Sequence, residues 1–595
     1  MWLDIDFGLG SAQRQAAEPD RSVLALSIAL QHPDLSTDPR IMCAAARACK
    51  AWRAAVQQCS ACNTAITINP EASLPQLCSL ARWLAKHAPL VTCINAVCGF
   101  QTPLRTVYGL LWGQHVATAQ QLLEHALQLA AIRAAAAAAA TPPPTSAAAP
   151  PTQQQQGLRL RRFTSNCLVT TDTLAALPGH SLTRLELNLM HSSSMDGSLL
   201  SAALANLSRL QHLSLSSTSK QRPVAGSCLL GLMQLGQLSS LELKGVWSAD
   251  TAAPLQQLLS QPLPLQQLHL DLWRTSSMQR PPALDLAALV QLRGLSIIND
   301  LPDGSVLPLQ LQQLHLGDGT ISADGWSMLL PLQQLQQLTL VVMLEEQEPM
   351  LGLTELRALQ HLVLRYSRDT DVGATAAAWR QLPQLQELSI GHMLYSPSKE
   401  EMESVVSGIA AASSLTKLHL QVCEVTWFDG AAAAEWISMA ACAQIAGLSR
   451  LKDLTLTCEH HEHKWLEAGD ALALTALTGL TSLCLRGLDA AVGDLEATAL
   501  ACNVPQLRDL DLSNTSLDSM VCLAAIAKLT QLTKLSLRDP YERTMLRQRG
   551  LMLLTSLSRL QELDVGEVEA GGVTAQGLGQ IWAAVRGQQR QQRVG

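Results

Sequence analysis

The sequence predicts an α/β solenoid in which short parallel strands alternate with helices, preceded by a small all-helical domain. Three observations lead to this prediction. A leucine pattern recurs through most of the 595 residues, an Ala/Leu-rich stretch with helical spacing precedes it, and a Pro/Gln-rich segment separates the two. Only 3% of the residues are aromatic and the chain is long for one core, so a stacked array is favoured over a single globular domain.

One complete repeat is visible in residues 506–537. Leu507, Leu510 and Leu512 form an LxxLxL cluster, an Ala/Leu-rich helical pattern follows, and Leu532 begins the next cluster. Side chains of a strand alternate between its two faces, so Leu510 and Leu512 point one way and Asp509 the other. A single repeat cannot bury its apolar face, and it must therefore stack on its neighbours.

The LxxLxL cluster recurs at intervals that mostly fall between 24 and 30 residues. Three fixed apolar positions held through so many copies predict one strand per copy. The first leucines of the clusters are Leu182, Leu210, Leu238, Leu265, Leu292, Leu311, Leu335, Leu359, Leu385, Leu415, Leu451, Leu480, Leu507, Leu532 and Leu560.

These clusters resemble the leucine-rich repeat family over roughly residues 158–585. The resemblance implies a horseshoe with parallel strands on its concave side and helices on its convex side. The family's ladder asparagine, eight residues after the first leucine, is absent, and that position holds residues such as Thr218, Trp273, Cys423 and Thr515. The departure predicts an irregular intracellular member, with insertions in the long steps before Leu415 and Leu451.

Composition sets the other expected boundaries. Residues 1–18 are predicted to be a tail, and residues 19–133 a helical domain with helices at 74–88 and 118–133. Residues 134–157, seven alanines followed by a Pro/Ala/Gln-rich run, are predicted to be a disordered linker. Residues 586–595 are predicted to be a C-terminal tail.

A second resemblance lies in residues 18–56. The turn Asp38-Pro39-Arg40 and the helical pattern that ends with Cys49 and Trp52 resemble the second half of an F-box. Residues 19–30 have the spacing of that family's opening helix, although Glu18 replaces its leucine and residues 31–37 are extra. The resemblance implies a module that binds the adaptor Skp1 through Leu24, Leu26, Ile41, Cys49 and Trp52. Alternatively, these residues fill the core of a helical cap.

Together the two resemblances imply a non-enzymatic substrate receptor of an SCF-type (Skp1–cullin–F-box) E3 ubiquitin ligase, with a protein substrate held by the repeats. The alternative is a scaffold or adaptor without a ligase link, of the cytoskeletal, ciliary or signalling kind. No Gly-rich phosphate loop, GxSxG elbow or HExxH helix occurs in the sequence, so no enzyme class is favoured.

Recognition is expected at the outward strand positions, two, four and six residues after each first leucine. The acidic residues among them near the C-terminal half are suited to a basic peptide, although a solvated polar face is the simpler interpretation. The candidate residues are Glu242, His269, Asp271, His361, Asp453, Asp509 and Asp511. Aromatic residues just after the strands form a second candidate surface at one rim, unless they fill core space: Trp247, Trp273, Tyr366 and Tyr395.

Two clusters have metal-ligand residue types, Cys458 to His463 and the pair Cys59 and Cys62. Neither has a second ligand set at a regular spacing, so the sequence predicts no metal and no cofactor. A zinc-dependent activity at Cys458 to His463 is the weakest alternative.

Charge and cysteine content limit the partners. A net charge of −7 and a pI of about 6.1 argue against nucleic acid. The apolar stretch at 122–140 contains Glu124, His125 and Arg133 and is a poor membrane span. The start of the chain lacks the features of a secretory signal, and 15 cysteines without regular spacing indicate reduced thiols. We therefore expect a cytoplasmic chain, monomeric outside its complex, with the nucleus or the cilium axoneme and cytoskeleton as alternative addresses.

Overall fold

In the computed structural model the described residues form two compact units. The first unit comprises the residues up to Leu265 together with 272–273. The second unit comprises 266–271 and the residues from 283 onward. The residues that the structure describes are 64–68, 73–87, 91–96, 109–139, 159–166, 169–189, 196–217, 225–246, 251–273, 283–298, 301–321, 323–344, 348–366, 376, 378–379, 381–392, 399–422, 440–458, 466, 468–488, 491–517, 519–538, 548–566 and 574–594.

The first unit contains a sheet of parallel strands in chain order, each bonded to the next along the sequence. Its strands are β1 (Thr64–Ile68), β2 (Val91–Ala96), β3 (Arg162–Ser165), β4 (Arg184–Asn188), β5 (His212–Ser217) and β6 (Ser240–Val246). Its helices are α1 (Leu74–His87), α2 (Gly109–Ala139), α3 (Thr171–Ala175), α4 (Gly197–Ala205) and α5 (Ala252–Leu259), with a 3-10 helix at Gly226–Gln234.

The second unit repeats this plan, with neighbouring strands parallel from β7 to β18. Its strands are β7 (Gln267–Trp273, of which 267–271 belong here), β8 (Gly294–Ile298), β9 (Gln313–Ile321), β10 (Gln337–Leu344), β11 (His361–Tyr366), β12 (Glu387–His392), β13 (Lys417–Val422), β14 (Asp453–Cys458), β15 (Ser482–Arg486), β16 (Asp509–Asp511), β17 (Lys534–Ser536) and β18 (Glu562–Asp564).

The connections of the second unit are helical. They include α6 (Ala323–Leu329), α7 (Lys399–Ala411), α8 (Ala440–Ile445), α9 (Asp494–Asn503), α10 (Met520–Ile526), α11 (Gln548–Leu551) and α12 (Ala575–Val594), with 3-10 helices at Glu348–Glu355, Asp470–Ala476 and Met552–Ser556. Strand followed by helix, with parallel strands in chain order, confirms the predicted α/β solenoid class.

The leucine pattern fixes both the position and the register of the strands. From β4 onward every strand begins two residues after a first leucine, and all fifteen first leucines are at most 1% exposed. Within the second unit, the residue two after one first leucine pairs with its equivalent in the next repeat, as Lys417 does with Asp453. Outward residues of equal position therefore form rows across the strands, here named the position-2, position-4 and position-6 rows.

The prediction of an all-helical segment over residues 19–133 is wrong for two stretches. β1 and β2 lie inside it, and β2 pairs with β3 through Ile94 and Phe163, both fully buried. The runs TAITI and VTCINA are rich in β-branched residues, which favour strands. Helix α2 also contacts this stack, since Arg133 Nη1 donates to the Ala85 carbonyl at 2.8 Å and Thr170 Oγ1 to Glu124 Oε2 at 3.1 Å. The stack of parallel strands therefore includes residues from Thr64 onward.

The predicted linker and tail also differ from the structure. Residues 134–139 of the linker continue helix α2, since alanine has the highest helix propensity. Residues 586–594 of the expected tail belong to α12, whose Ile581 and Val585 are fully buried. The rest of the linker, residues 140–157, lies outside the described residues.

Thr515 stabilises the turn after β16. Its side chain is 2% exposed, and its hydroxyl donates to the Leu512 carbonyl of the same repeat at 2.6 Å. The turn is therefore held by a bond within its own repeat.

Candidate functional site

Side chains of the position-2 row in the second unit pair with one another. His361 Nδ1 lies 2.8 Å from a carboxylate oxygen of Glu387, and Lys417 Nζ lies 3.8 Å from Glu387 and 3.9 Å from Asp453. The residues sit on successive strands, which are about 4.8 Å apart. Pairs this exposed stabilise the fold little. They do place a cation beside each of these two carboxylates.

The same row continues with Asp509, Lys534 and Glu562. Lys534 Nζ forms an ion pair with Glu562 at 2.8 Å, and this contact raises the pKa of the lysine. Burial raises the pKa of Asp509, with Lys534 opposing the shift and Asp511, Asp453 and Glu562 adding to it. The sequence expectation of an acidic region suited to a basic peptide stays a prediction; within that region, Asp453 lies 3.9 Å from Lys417 Nζ.

An open groove lies on this strand face, over the position-4 and position-6 rows. It consists of two adjoining cavities of about 460 and 240 Å³, which share the lining residues Arg486, Asp511 and Asn514. The larger is also lined by His419, Gln421, Thr455, Thr457, Cys458 and Cys484. The smaller is also lined by Ser513, Ser536, Arg538 and Asp564. The groove therefore crosses six strands, β13 to β18.

The acidic side chains of the groove are bonded to their own chain. Asp511 Oδ1 accepts from the Ser513 N–H at 2.9 Å and from the Ser513 hydroxyl at 2.5 Å. The Ser536 hydroxyl lies 2.7 Å from the Ser513 hydroxyl and can only donate to it, since Ser513 donates to Asp511. Asp564 Oδ1 accepts from the Gly566 N–H at 3.0 Å. These carboxylates are thus held in place by serine and backbone donors.

Cys484 is not a nucleophile in this setting. Its Sγ lies 3.6 Å from Asp511 Oδ2, and burial together with the Asp511 charge raises the pKa of the thiol to about 12. A thiol with such a pKa stays protonated at neutral pH, and the thiolate is the reactive form.

Asn514 occupies the centre of the groove. Its φ is 57°, and no other described non-glycine residue has a positive φ. Asparagine tolerates this conformation better than most residues. Its Oδ1 is shielded from solvent and accepts no hydrogen bond from a described residue. A residue that lines both cavities thus carries an unused acceptor.

One end of the groove is organised by Arg365. Its guanidinium passes over Gly391 on the adjacent strand, where a Cβ would overlap the guanidinium, and donates to Gln421 Oε1 two strands away. His419 lies beside it, and burial first and the Arg365 charge second lower the pKa of this imidazole. His419 Nδ1 is 3.4 Å from Ser389 Oγ, which is longer than the hydrogen bond of an activated nucleophile.

The structure brings together some of the predicted residues and separates others. His361, Asp453 and Asp509 share the position-2 row, and Asp511 lies in the groove. His269 and Asp271 lie on β7, with Ser296 and Ile298 as their partners on β8. Glu242 belongs to the first unit, where it pairs with Lys244 at 2.6 Å.

Several predicted residues lie outside the described residues. They are the adaptor-binding set Leu24, Leu26, Ile41, Cys49 and Trp52, the rim residues Trp247 and Tyr395, the pair Cys59 and Cys62, and residues 459–463 of the His-rich cluster. Trp273 and Tyr366 end β7 and β11, and their side chains are not described.

Two further observations on the described part of the chain concern metal ligation and membrane insertion. Within it, no three His, Cys, Asp or Glu side chains converge as a metal site would require. None of its helices is both long and apolar enough to cross a membrane.

Sequence reasoning missed Asn514 as a groove residue and Gly391 as the residue over which Arg365 passes. Asparagine in a turn and glycine in a strand are residue types that tolerate an unusual backbone or close packing, and they are the available signal.

Comparisons with known proteins concern the fold. No protein-family model matches the chain, and no curated protein matches it by sequence. Among solved structures, it is similar to an internalin (inlF) from Listeria monocytogenes, with 17% identity, a TM-score of 0.31, and coverage of 64% of this chain and 93% of that one. It is also similar to TLR13 in a complex with ssRNA13, with 19% identity, a TM-score of 0.34, and coverage of 69% and 65%.

Proposed function

We propose that this chain is a non-enzymatic interaction protein that holds an extended segment of a protein partner in the groove across β13 to β18. The supporting observation is the groove itself, two adjoining cavities of about 460 and 240 Å³ on an exposed strand face. Six strands span five intervals of about 4.8 Å, or roughly 24 Å, and an extended peptide rises about 3.3 Å per residue. The groove therefore has the length of about seven residues.

The lining suits a peptide because it offers both donors and acceptors. Thr455, Thr457 and Asn514 line its floor with Arg486 and Arg538, and a peptide presents one N–H and one C=O per residue to such groups. A protonated thiol at Cys484 and a 3.4 Å separation between Ser389 and His419 give no activated nucleophile. Binding without catalysis is the function that these groups support.

A peptide-display selection against the full chain tests this function. Thr457 is a half-buried position-6 residue of the groove, so Thr457→Trp should fill the groove and abolish binding of the selected peptides. Gln334→Trp is the matched control, since Gln334 is exposed on the turn before β10. Selected peptides that bind Thr457→Trp as well as the wild type, or a failure of any peptide to enrich, would refute the proposal.

The finer proposal is that the chain is a substrate receptor of an SCF-type ligase, with the groove holding the protein that is ubiquitinated. It rests on the order of the F-box-like residues 18–56 and the repeats. Skp1 should co-purify with the full chain, and Trp52→Ala combined with Cys49→Ala should abolish this. Equal recovery of Skp1 with the variant would contradict the assignment, whereas the groove proposal would stand.

The alternative function is a scaffold without a ligase link. The strands β1 and β2 favour it, because they place residues from Thr64 onward in the parallel stack rather than in a separate helical domain. Recovery of the chain in a cytoskeletal fraction, without Skp1 or a cullin, would support this alternative.

A further inference from the structure

We propose that the groove selects a partner segment with an acidic side chain, which Arg486 and Arg538 hold between them. The inference rests on the proposed function of the groove and names the chemistry of its ligand. It reverses the sign expected from the sequence, in which the acidic residues of this region favoured a basic peptide.

Arg486 and Arg538 flank Ser513 in the position-6 row. All three line the smaller cavity, and both arginines are exposed. They lie two strand spacings apart, or about 10 Å, and the small serine between them leaves the space open. Two long guanidinium side chains can converge on one carboxylate across this distance, each with up to two parallel hydrogen bonds.

Three other cations of this face are already engaged. Lys417 lies near Glu387 and Asp453, Lys534 pairs with Glu562, and Arg365 donates to Gln421. Within the described part of the chain, neither Arg486 nor Arg538 forms an ion pair with a carboxylate. They are therefore the cations that a ligand can use.

The two acids that line the same cavity do not cancel this preference. Asp511 Oδ1 accepts two hydrogen bonds from Ser513, and Asp564 Oδ1 accepts one from Gly566, so one oxygen of each carboxylate is bonded to its own chain. Their charges still lower the local positive potential. The site is thus suited to one carboxylate rather than to a polyanion.

Asn514 offers an acceptor for the main chain of the ligand. The residue lines both cavities, and its Oδ1 is buried and without a donor among the described residues. A buried acceptor is stabilised by a donor, and the N–H of the ligand residue or its neighbour supplies one. The groove would then read an acidic residue through its side chain and its backbone together.

The test uses fluorescently labelled heptapeptide pools with mixed residues at six positions and a fixed central residue: Asp, Asn, Lys or phosphoserine. Their affinities for the full chain are measured by fluorescence anisotropy. The Asp pool should bind about tenfold more tightly than the Asn and Lys pools, the effect of one charge-assisted hydrogen bond. The double variant R486Q/R538Q should lose this preference.

Two variants separate charge from fold. Arg559→Gln is the matched control, because Arg559 is exposed and bonded to Gln531 on a turn away from the groove; it should keep the preference. Asn514→Gly, which retains the left-handed backbone, should weaken all pools alike.

The outcomes are distinguishable. Pools that bind with no preference for Asp would overturn the inference and leave the groove function intact. Binding by no pool would overturn both. Tight binding by the phosphoserine pool alone would replace the carboxylate with a phosphorylated side chain and so contradict the inference as stated.

Discussion

Gly487, the residue after Arg486, is the position where one added methyl group should do the most damage to the groove. Its φ is 76°, and a Cβ there would overlap the Cys458 carbonyl oxygen and lie 3.0 Å from its carbon. Gly245 in the first unit repeats this arrangement, with φ 98° and the Ser217 carbonyl beneath it. Both glycines stand seven residues after a first leucine, so this is how the chain leaves a strand close to the preceding repeat.

The expected cost of Gly487→Ala has two parts. A left-handed conformation costs a non-glycine residue about 1–2 kcal/mol. Displacing a close-packed neighbour costs about 1–3 kcal/mol more, because the Cys458 backbone ends β14 and is paired in register with Val422 of β13. We therefore expect a loss of about 2–5 kcal/mol, together with weaker peptide binding, since Cys458 and Arg486 both line the groove.

Urea denaturation followed by circular dichroism measures this loss, with the midpoint as the readout because repeat arrays can depart from two-state unfolding. Gly479→Ala is the matched control in the same repeat. Its φ is not in the left-handed range, and a Cβ there would meet only the Leu451 carbonyl oxygen at 3.9 Å, so we expect a change within about 1 kcal/mol. Equal midpoints for the two variants would refute this reasoning.

Three further predictions concern the core and the charges of the strand face. Leu418→Ala, at a fully buried position, should lower the free energy of unfolding by about 2–5 kcal/mol. Its control is Val290→Ala, at a side chain 67% exposed, which should change stability by about 0.5 kcal/mol or less. Comparable urea midpoints for the two variants would contradict the burial of Leu418 in the core. Because the pKa of His419 is lowered, the unfolded chain binds the proton more readily, so stability should fall as the pH drops below 6.5, the ordinary value. His419→Gln should reduce that acid loss, and an unchanged pH profile of the thermal midpoint would count against it. Because the pKa of Asp509 is raised, its ionised form is disfavoured in the fold. Asp509→Asn should therefore raise the thermal midpoint at neutral pH and lose this advantage below pH 3.8, the ordinary pKa. A lower midpoint at pH 7 would show instead that the Lys534 attraction dominates.

The repeat architecture could be predicted because its signal is redundant. A leucine two residues before each strand, and two more within it, recur often enough that the strands from β4 onward are found where the pattern places them. The same positions are buried, as Leu510 and Leu512 are. Burial of one face fixes the register, since a one-residue slip would expose every such leucine.

The elements that were missed lack that redundancy. β1 and β2 have Ile66, Ile68 and Ile94 at buried positions but no LxxLxL cluster. The helical periodicity on either side of these strands predicts helix for the whole segment. The alanine-rich composition of residues 134–139 predicts a linker, whereas these residues form the last turns of helix α2. An alanine run extends a helix that is already nucleated.

The groove was harder to predict because its charges depend on neighbours about 25–36 residues away in the sequence. The position of Asp453 beside Lys417 follows only from the pairing of equal positions on β13 and β14. Once the register is known, the sign of each site depends on what stands next to it in its row.

That dependence explains why recognition is argued for the position-6 row and not for the position-2 row. At position 2, His361, Glu387, Lys417 and Asp453 follow one another on successive strands about 4.8 Å apart, and their side chains pair within the protein. At position 6, small residues separate the cations. Gly391 lets Arg365 reach past it to Gln421, and Ser513 leaves a cavity between Arg486 and Arg538. The size of the intervening side chain, as much as the charges themselves, thus decides whether an arginine on this face bonds to its own chain or to a partner.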